Sequence, residues 1–301
     1  MPEVKNTDQK VLTFDEKVNL FKATASFPKA RAEYAKSRAT VILPLLDVDS
    51  HIRSIFTVEN LPLGAEPRYD IPFDDINCAW VMPKIGGIPQ IQVEGTEIYV
   101  STFEIDAAIQ YQMRIAEQGR FQVGERSTRL LKNKIVELEE LAGFTLIQNH
   151  AAVLPAGQKA TSGVLDVGCF NDIVTKGDVL RRKITDLFVS PTRYSNLRNW
   201  VVNTAYSNNL KDQAFNLSGL SNVWDVNIHK VYDSRLVANN KGYAFGQRDG
   251  FTYGVMPIRR NLETYDNPIA IMEWKIGIMA REEIGFGVLD DKALIETTFT
   301  A

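Results

Sequence analysis

Histidine and cysteine are scarce in this 301-residue chain, with three of the first and two of the second. Cys78 and Cys169 lie far apart and form no CxxC pair, so they cannot frame a zinc ribbon or a disulfide scaffold. They fit a reducing compartment and two buried free thiols. His51, His150 and His229 have no Cys, His or carboxylate at ligand spacing. They read as core or surface histidines, and no metal is expected. No run approaches the roughly 20 apolar residues of a membrane helix, so no membrane partner is expected. Met1–Lys10 is polar, and no signal peptide is expected. A basic excess is missing too: 34 Lys and Arg stand against 37 Asp and Glu, a net charge of -3. That disfavours free-standing sequence-specific DNA binding but leaves room for a local basic patch.

Catalytic signatures are absent as well. There is no phosphate-loop GxxxxGKS or GxxxxGKT, no GxGxxG, no GxSxG and no HExxH. Asp74-Asp75 and Asp290-Asp291 are adjacent, so on an extended strand each pair points to opposite faces and makes no acid–base dyad. No constellation calls for an enzyme or a cofactor.

What is present is a core. Hydrophobic residues make up 45% of the chain, enough for a globular fold. Phe14–Ala25 has the pattern of a short amphipathic helix that Pro28 would end. From Lys17 to Arg38 six Lys/Arg (17, 22, 29, 31, 36 and 38) face one acid, Glu33. Lys29, Arg31, Lys36 and Arg38 make either a solvated face or an arm that meets an anionic partner. Thr40–Leu46 reads as an apolar anchor.

Residues 68–93 alternate like a ribbon. Tyr69, Ile71 and Phe73 share one face. From Asp75 the phase flips to Ile76, Cys78, Trp80 and Met82, which signals a bulge. Pro67, Pro72, Pro83 and Pro89 cannot donate ladder bonds, so a central sheet is excluded. A long, bent, two-stranded hairpin with its turn near Gly86-Gly87 remains. Its apolar residues Trp80, Val81, Met82, Ile85, Ile88 and Ile91 need a surface to cover them.

A helix is expected from Ser101 or Thr102 to about Gln118, with Glu104 and Asp106 in its first turn. A longer helix is expected from about Val123 to His150. Val123, Leu130, Leu131, Ile135, Leu138, Leu141 and Ala142 would form its buried stripe, and Gly143 would interrupt it. Its basic residues (126, 129, 132, 134) precede its acids (137, 139, 140), the reverse of what the macrodipole favours. Neighbouring surfaces should therefore decide these charges. Pro155–Gly168 reads as a loop, Lys176–Ile184 as a helix and Asp186–Ser190 as a strand. Pro191 opens another helix, and a long polar loop follows it. Val223–Val231 alternates as a strand, and a turn leads into the next at Lys241–Gly246. Ala270, Met272, Trp274, Ile276, Ile278 and Ala280 would share one face of a long strand. The class is α+β.

In this order the elements resemble the major capsid proteins of tailed phages, the Hong Kong 97 type fold. "IRSIFTVENLPLGAEPRYDIP" leading into "WVMPKIGGIPQIQVEGTEIYVSTFEI" is similar to the family's extended loop. "EQGRFQVGERSTRLLKNKIVELEELAGFTLI" is similar to its spine helix. "DLFVSPTRYSNLRNW" and "EWKIGIMAREEIGFGVLDDKALIETT" are similar to its axial strand-helix and its closing strands. The resemblance runs from about Asp47 to Thr298 and implies the following division. Residues 1–46 are an N-terminal arm and 47–103 the extended loop with its base. Residues 104–150 are the peripheral domain with the spine helix, 151–261 the axial domain, and 262–301 the closing peripheral strands.

The implied function is self-assembly into the icosahedral head enclosing a double-stranded DNA genome. On that reading the protein resides in the virion and assembles in the host bacterial cytoplasm. The implied partners are copies of itself, a scaffolding protein, a portal, a decoration protein and, non-specifically, DNA. About 46 residues precede the loop, which suggests a separate scaffold or none. Lys84 with Asn261 or Asn267 does not match the family's cross-linking pattern, so no covalent cross-link is expected. An encapsulin-type nanocompartment shell is the second reading, and an unrelated α+β cytosolic enzyme the third.

Overall fold

A computed structural model describes residues 14–62, 64–71, 96–196, 222–223, 225–248, 252–267 and 273–300. In chain order the helices are α1 (Phe14–Ser26), α2 (Pro28–Asp49), α3 (Ile52–Ile55), α4 (Met113–Glu117), α5 (Phe121–Val153) and α6 (Val167–Val179). The early strands are β1 (Phe56–Asn60), β2 (Arg68–Ile71), β3 (Thr96–Tyr99), β4 (Thr102–Gln112), β5 (Lys159–Ser162) and β6 (Lys183–Val189). The later ones are β7 (Asn222–Val223), β8 (Val226–Lys230), β9 (Lys241–Gln247), β10 (Gly254–Asp266), β11 (Lys275–Gly285), β12 (Gly287–Val288) and β13 (Leu294–Phe299). Their contacts divide the chain into two units: residues 1–49, 104–138 and 260–283, and residues 50–103, 139–259 and 284–301.

In the first unit, α1 stops at Ser26 and Pro28 opens α2 rather than merely ending α1. Proline suits the first turn of a helix, where its missing N–H has no partner to lose. Phe21, Tyr34 and Tyr111 form the core, with ring centroids 5.6 and 5.8 Å from Phe21. Gly124 of α5 lies against them, and a Cβ there would sit 2.6 Å from the Tyr34 hydroxyl. Thr264 Oγ1 donates to the Ala35 carbonyl, which ties α2 to β10.

The stretch 102–112, expected as helix, is strand β4. Ile105 and Tyr111 are buried, while Glu104, Asp106, Ala108, Gln110 and Gln112 are exposed. The period is two, and it decides the element once β11 offers a ladder partner. Only the five residues of α4 are helical before Gly119. The long strand begins at Lys275, not Ala270, and Ile276, Ile278 and Ala280 are buried as expected. Trp274 instead stands in a turn at φ 56°. Ala270 and Met272 lie outside the described residues.

In the second unit, a six-stranded sheet runs in the order β5-β13-β9-β6-β8-β7. α6 covers it through Cys169, Phe170 and Ile173, which pack with Leu187, Val189, Ala244 and Ile295. α6 starts at Val167, where Asp166 caps it by accepting from the Cys169 amide at 2.8 Å. The expected helix at 176–184 is therefore misplaced. α6 ends at Val179, and only the last two residues of that stretch, Lys183 and Ile184, are strand, where β6 begins and pairs with β9. β5 and a short 3-10 turn occupy part of the expected 155–168 loop. β13 pairs with β5 and β9, so it joins the sheet of the 151–261 region instead of grouping with 262–283.

A second sheet has the order β1-β10-β11-β4, with β12 also on β10. Among the described residues β2 and β3 pair only with each other.

Candidate assembly surface

The hairpin base is an antiparallel ladder with Arg68 opposite Tyr99 and Ile71 opposite Thr96. Tyr69 and Ile71 are half-buried and Arg68 and Asp70 exposed, the alternation expected. Burial and the neighbouring Glu59 carboxylate push the Tyr69 phenol above its ordinary range. The ladder closes where the Val100 amide donates to the Pro67 carbonyl at 2.9 Å. Val100 is buried against Gly285 and Gly287, and a Cβ on Gly287 would fall on the valine methyls. The base is thus anchored where two glycines leave room. Residues 72–95 fall between its strands, so Trp80, Val81, Met82, Ile85, Ile88 and Ile91 lie outside the described residues. Beside the ladder, Tyr99 and Phe103 expose aromatic surface.

The four basic residues expected to act together on α2 are divided by the structure. Lys29 and Lys36 are exposed. Arg31 is only 7% exposed and stands 3.7 Å from Asp266. Arg38 lies over the Tyr34 ring at 4.2 Å. Two of the four therefore serve the core of the first unit. An arginine stem is long enough to do so, and the sequence alone does not tell which will.

α5 separates its charges by role. Glu139 is fully buried and receives Arg53 through both oxygens, Nε to Oε2 at 3.1 Å and Nη2 to Oε1 at 2.9 Å. Glu140 Oε1 accepts from the His51 amide at 3.0 Å. The acids that oppose the macrodipole are thus held by α3 and the residue before it. Arg126, Arg129 and Lys134 are exposed. The buried stripe differs from expectation. Leu131 and Ile135 are buried, but Leu130 and Leu138 are 48% and 41% exposed. Gly124, Thr128, Glu139 and Gly143 fill the stripe in their place, positions a purely apolar count passes over.

The histidines pair with neighbours of structural kind. His229 Nε2 is 2.8 Å from Asp186, and its ring stacks on Phe188. His150 Nδ1 is 2.9 Å from the Tyr253 hydroxyl. Burial, helped by His229, lowers the His51 pKa, and burial lowers that of His150 against the pull of Asp291. Asp290 is buried against Arg182 while Asp291 is exposed, so the adjacent pair makes no dyad. Burial raises the Cys169 thiol to about 11, which suits an inert core thiol. Cys78 lies outside the described residues. Among the described residues no cluster of ligands could hold a metal. No described helix is long and apolar enough to cross a membrane.

No family model and no curated protein matches the chain. Solved structures do. The capsid of the cyanophage P-SCSP1u matches at TM-score 0.56 and 12% identity, over 82% of this chain and 86% of that one. The capsid of a native GTA particle matches at 0.57 and 13% identity, over 83% and 90%. A virus-like particle from Pyrococcus furiosus matches at 0.53 and 14% identity, over 88% and 98%. The chain has the mixed helix-and-sheet fold of capsid proteins. That fold is shared by the phage and GTA capsids and by the Pyrococcus furiosus particle.

Proposed function

We propose that the protein is a shell subunit, the major capsid protein of a tailed phage, whose copies close around double-stranded DNA. The observation that carries this reading is the match to capsid chains along nearly their whole length. The lone β2–β3 ladder supports it further. A two-stranded hairpin is marginal in water, and the apolar residues of 72–95 gain most by covering another copy. On this reading residues 1–46 are the arm, 47–103 the extended loop, 104–150 and 262–283 peripheral, and 151–261 with β13 axial. Trp80, Val81, Met82, Ile85, Ile88 and Ile91 are the strap, and Lys29 and Lys36 the exposed part of the interior basic arm. Scaffolding, portal and decoration proteins are further partners, the shell is built in the bacterial cytoplasm, and the protein is not an enzyme.

An encapsulin-type compartment is the second reading, favoured by the Pyrococcus furiosus particle, of which 98% is covered. Electron microscopy of the purified protein tests both. Closed shells holding DNA support the first and shells holding a protein cargo support the second. A protein that stays monomeric at high concentration, with or without a scaffold, overturns both.

A further inference from the structure

The exposed side of α5 within the first unit displays Gln122, Arg126, Arg129, Leu130, Asn133, Lys134 and Leu138. These positions recur at helical spacing along about 24 Å of axis. Glu125 and Glu137, both part-buried, border it. Arg126 and Arg129 have neither an ion-pair nor a hydrogen-bond partner among the described residues, whereas Lys134 holds Glu137. Residues 113–138 contain six Lys/Arg (114, 120, 126, 129, 132, 134) and three Glu (117, 125, 137), a local charge of +3. The whole chain is at -3, so the remainder carries -3 - 3 = -6. The macrodipole acts within the first turn of a helix, and Arg126 and Arg129 lie beyond it, so it does not draw cations to these positions. Neither local pairing nor the helix itself accounts for this face.

We propose that this face of α5 is a sequence-independent docking surface for the phosphate backbone of duplex nucleic acid. The inference rests on the shell reading and names the surface that meets the contents. Arg, Lys, Asn and Gln are the donors that reach phosphate oxygens, and such contacts carry no base information. A second copy of the chain fits this face less well. A stable interface between subunits centres on apolar surface, and here the exposed Leu130 and Leu138 stand among Gln122, Arg126, Arg129, Asn133 and Lys134. Its residues differ from Lys29 and Lys36 of α2, so the two sets can be neutralised independently.

The test uses the full-length protein, a labelled 30-base-pair DNA duplex in two unrelated sequences, and anisotropy across a sodium chloride series. Wild type should bind both duplexes alike, with log affinity falling linearly against log salt. Arg126→Gln with Arg129→Gln should make that slope shallower by about 2 and weaken binding at least tenfold at low salt. The thermal melt of the variant should match wild type. Its shells, seen by microscopy, should form normally but hold less DNA. Unchanged DNA binding in the variant overturns the proposal. So does loss of shells with DNA binding intact, which would make the face a contact between copies. If wild type binds duplex through these arginines but never forms shells, the shell reading fails and the docking surface stands.

Discussion

Gly143 sits where Ile52 presses closest to α5. A Cβ there would lie 2.7 Å from Ile52 Cδ1, 2.9 Å from Cγ1 and 3.0 Å from Cγ2. The whole branched side chain is in the way, so rotation of its tip gives no relief. Alanine should gain about 1 kcal/mol of helix propensity but lose about 1–3 kcal/mol to overpacking. Gly143→Ala should therefore destabilise the protein, and adding Ile52→Val should recover part of the loss, as read by urea midpoints. Arg53 and Glu139 make a buried pair on the same stretch, 6% and 0% exposed. Arg53→Ala would leave a carboxylate in the interior without its partner, at a cost of about 3–5 kcal/mol. A midpoint within error of wild type would refute that assignment.

His51 and His150 contribute to the pH dependence of stability just below neutrality. The folded pKa values of His51 and His150 lie below 6.5. The unfolded chain thus takes up protons first as pH falls, and stability drops from about pH 6.5 downward toward those values. Glu140 and Asp266, raised by burial, act with the opposite sign, since folded carboxyls with raised pKa gain stability as pH falls. The readout is therefore a difference. Between pH 7.5 and 5.5 the melting temperature of His51→Gln with His150→Gln should fall less than that of wild type.

At the scale of elements, the hairpin base is the sharpest case. β2 and β3 are anchored by Val100 on Gly285 and Gly287, none of which belongs to the α6-covered core. Replacing residues 75–93 with a short Gly-Ser turn should leave circular dichroism and the melting temperature close to wild type. Shell formation should be lost, as seen by sedimentation. Intact shells would show that the ribbon is not a strap between copies. An unfolded subunit would show that the ribbon belongs to its own core. β4 teaches a different lesson. Phe103, Ile105, Ala107, Ile109 and Tyr111 alternate with Glu104, Asp106, Ala108, Gln110 and Gln112, so the strand period was in the sequence. Ser101 and Thr102 at its start favour a helix cap, but a cap contributes about 1 kcal/mol and a full ladder with a buried face contributes more.

For the whole molecule, assembly is the property to measure. If the chain forms shells, sedimentation should show a large discrete species whose yield rises steeply with concentration, since many contacts must close together. Arg126→Gln with Arg129→Gln should leave that species in place, and the hairpin deletion should remove it.

The order of elements was legible in the sequence because periods of two and 3.6 survive wherever one face is buried. α1, α5, β2 and β8 could be read that way, and so could the antiparallel base of the ribbon, whereas β9 and β13 are buried on both faces and carry no such period. The scarcity of histidine and cysteine, with no catalytic motif, pointed away from metal and redox chemistry. Partner choice between distant segments was not legible. Which arginines on α2 turn inward depends on Asp266 and on the Tyr34 ring. Which leucines on α5 stay in water depends on Gly124 and Gly143, where α2 and Ile52 press too close for a side chain. The place of β13 beside β5 is a pairing across more than 130 residues of sequence. Packing at contact distance between such segments has no local period, so only the tertiary structure decided it.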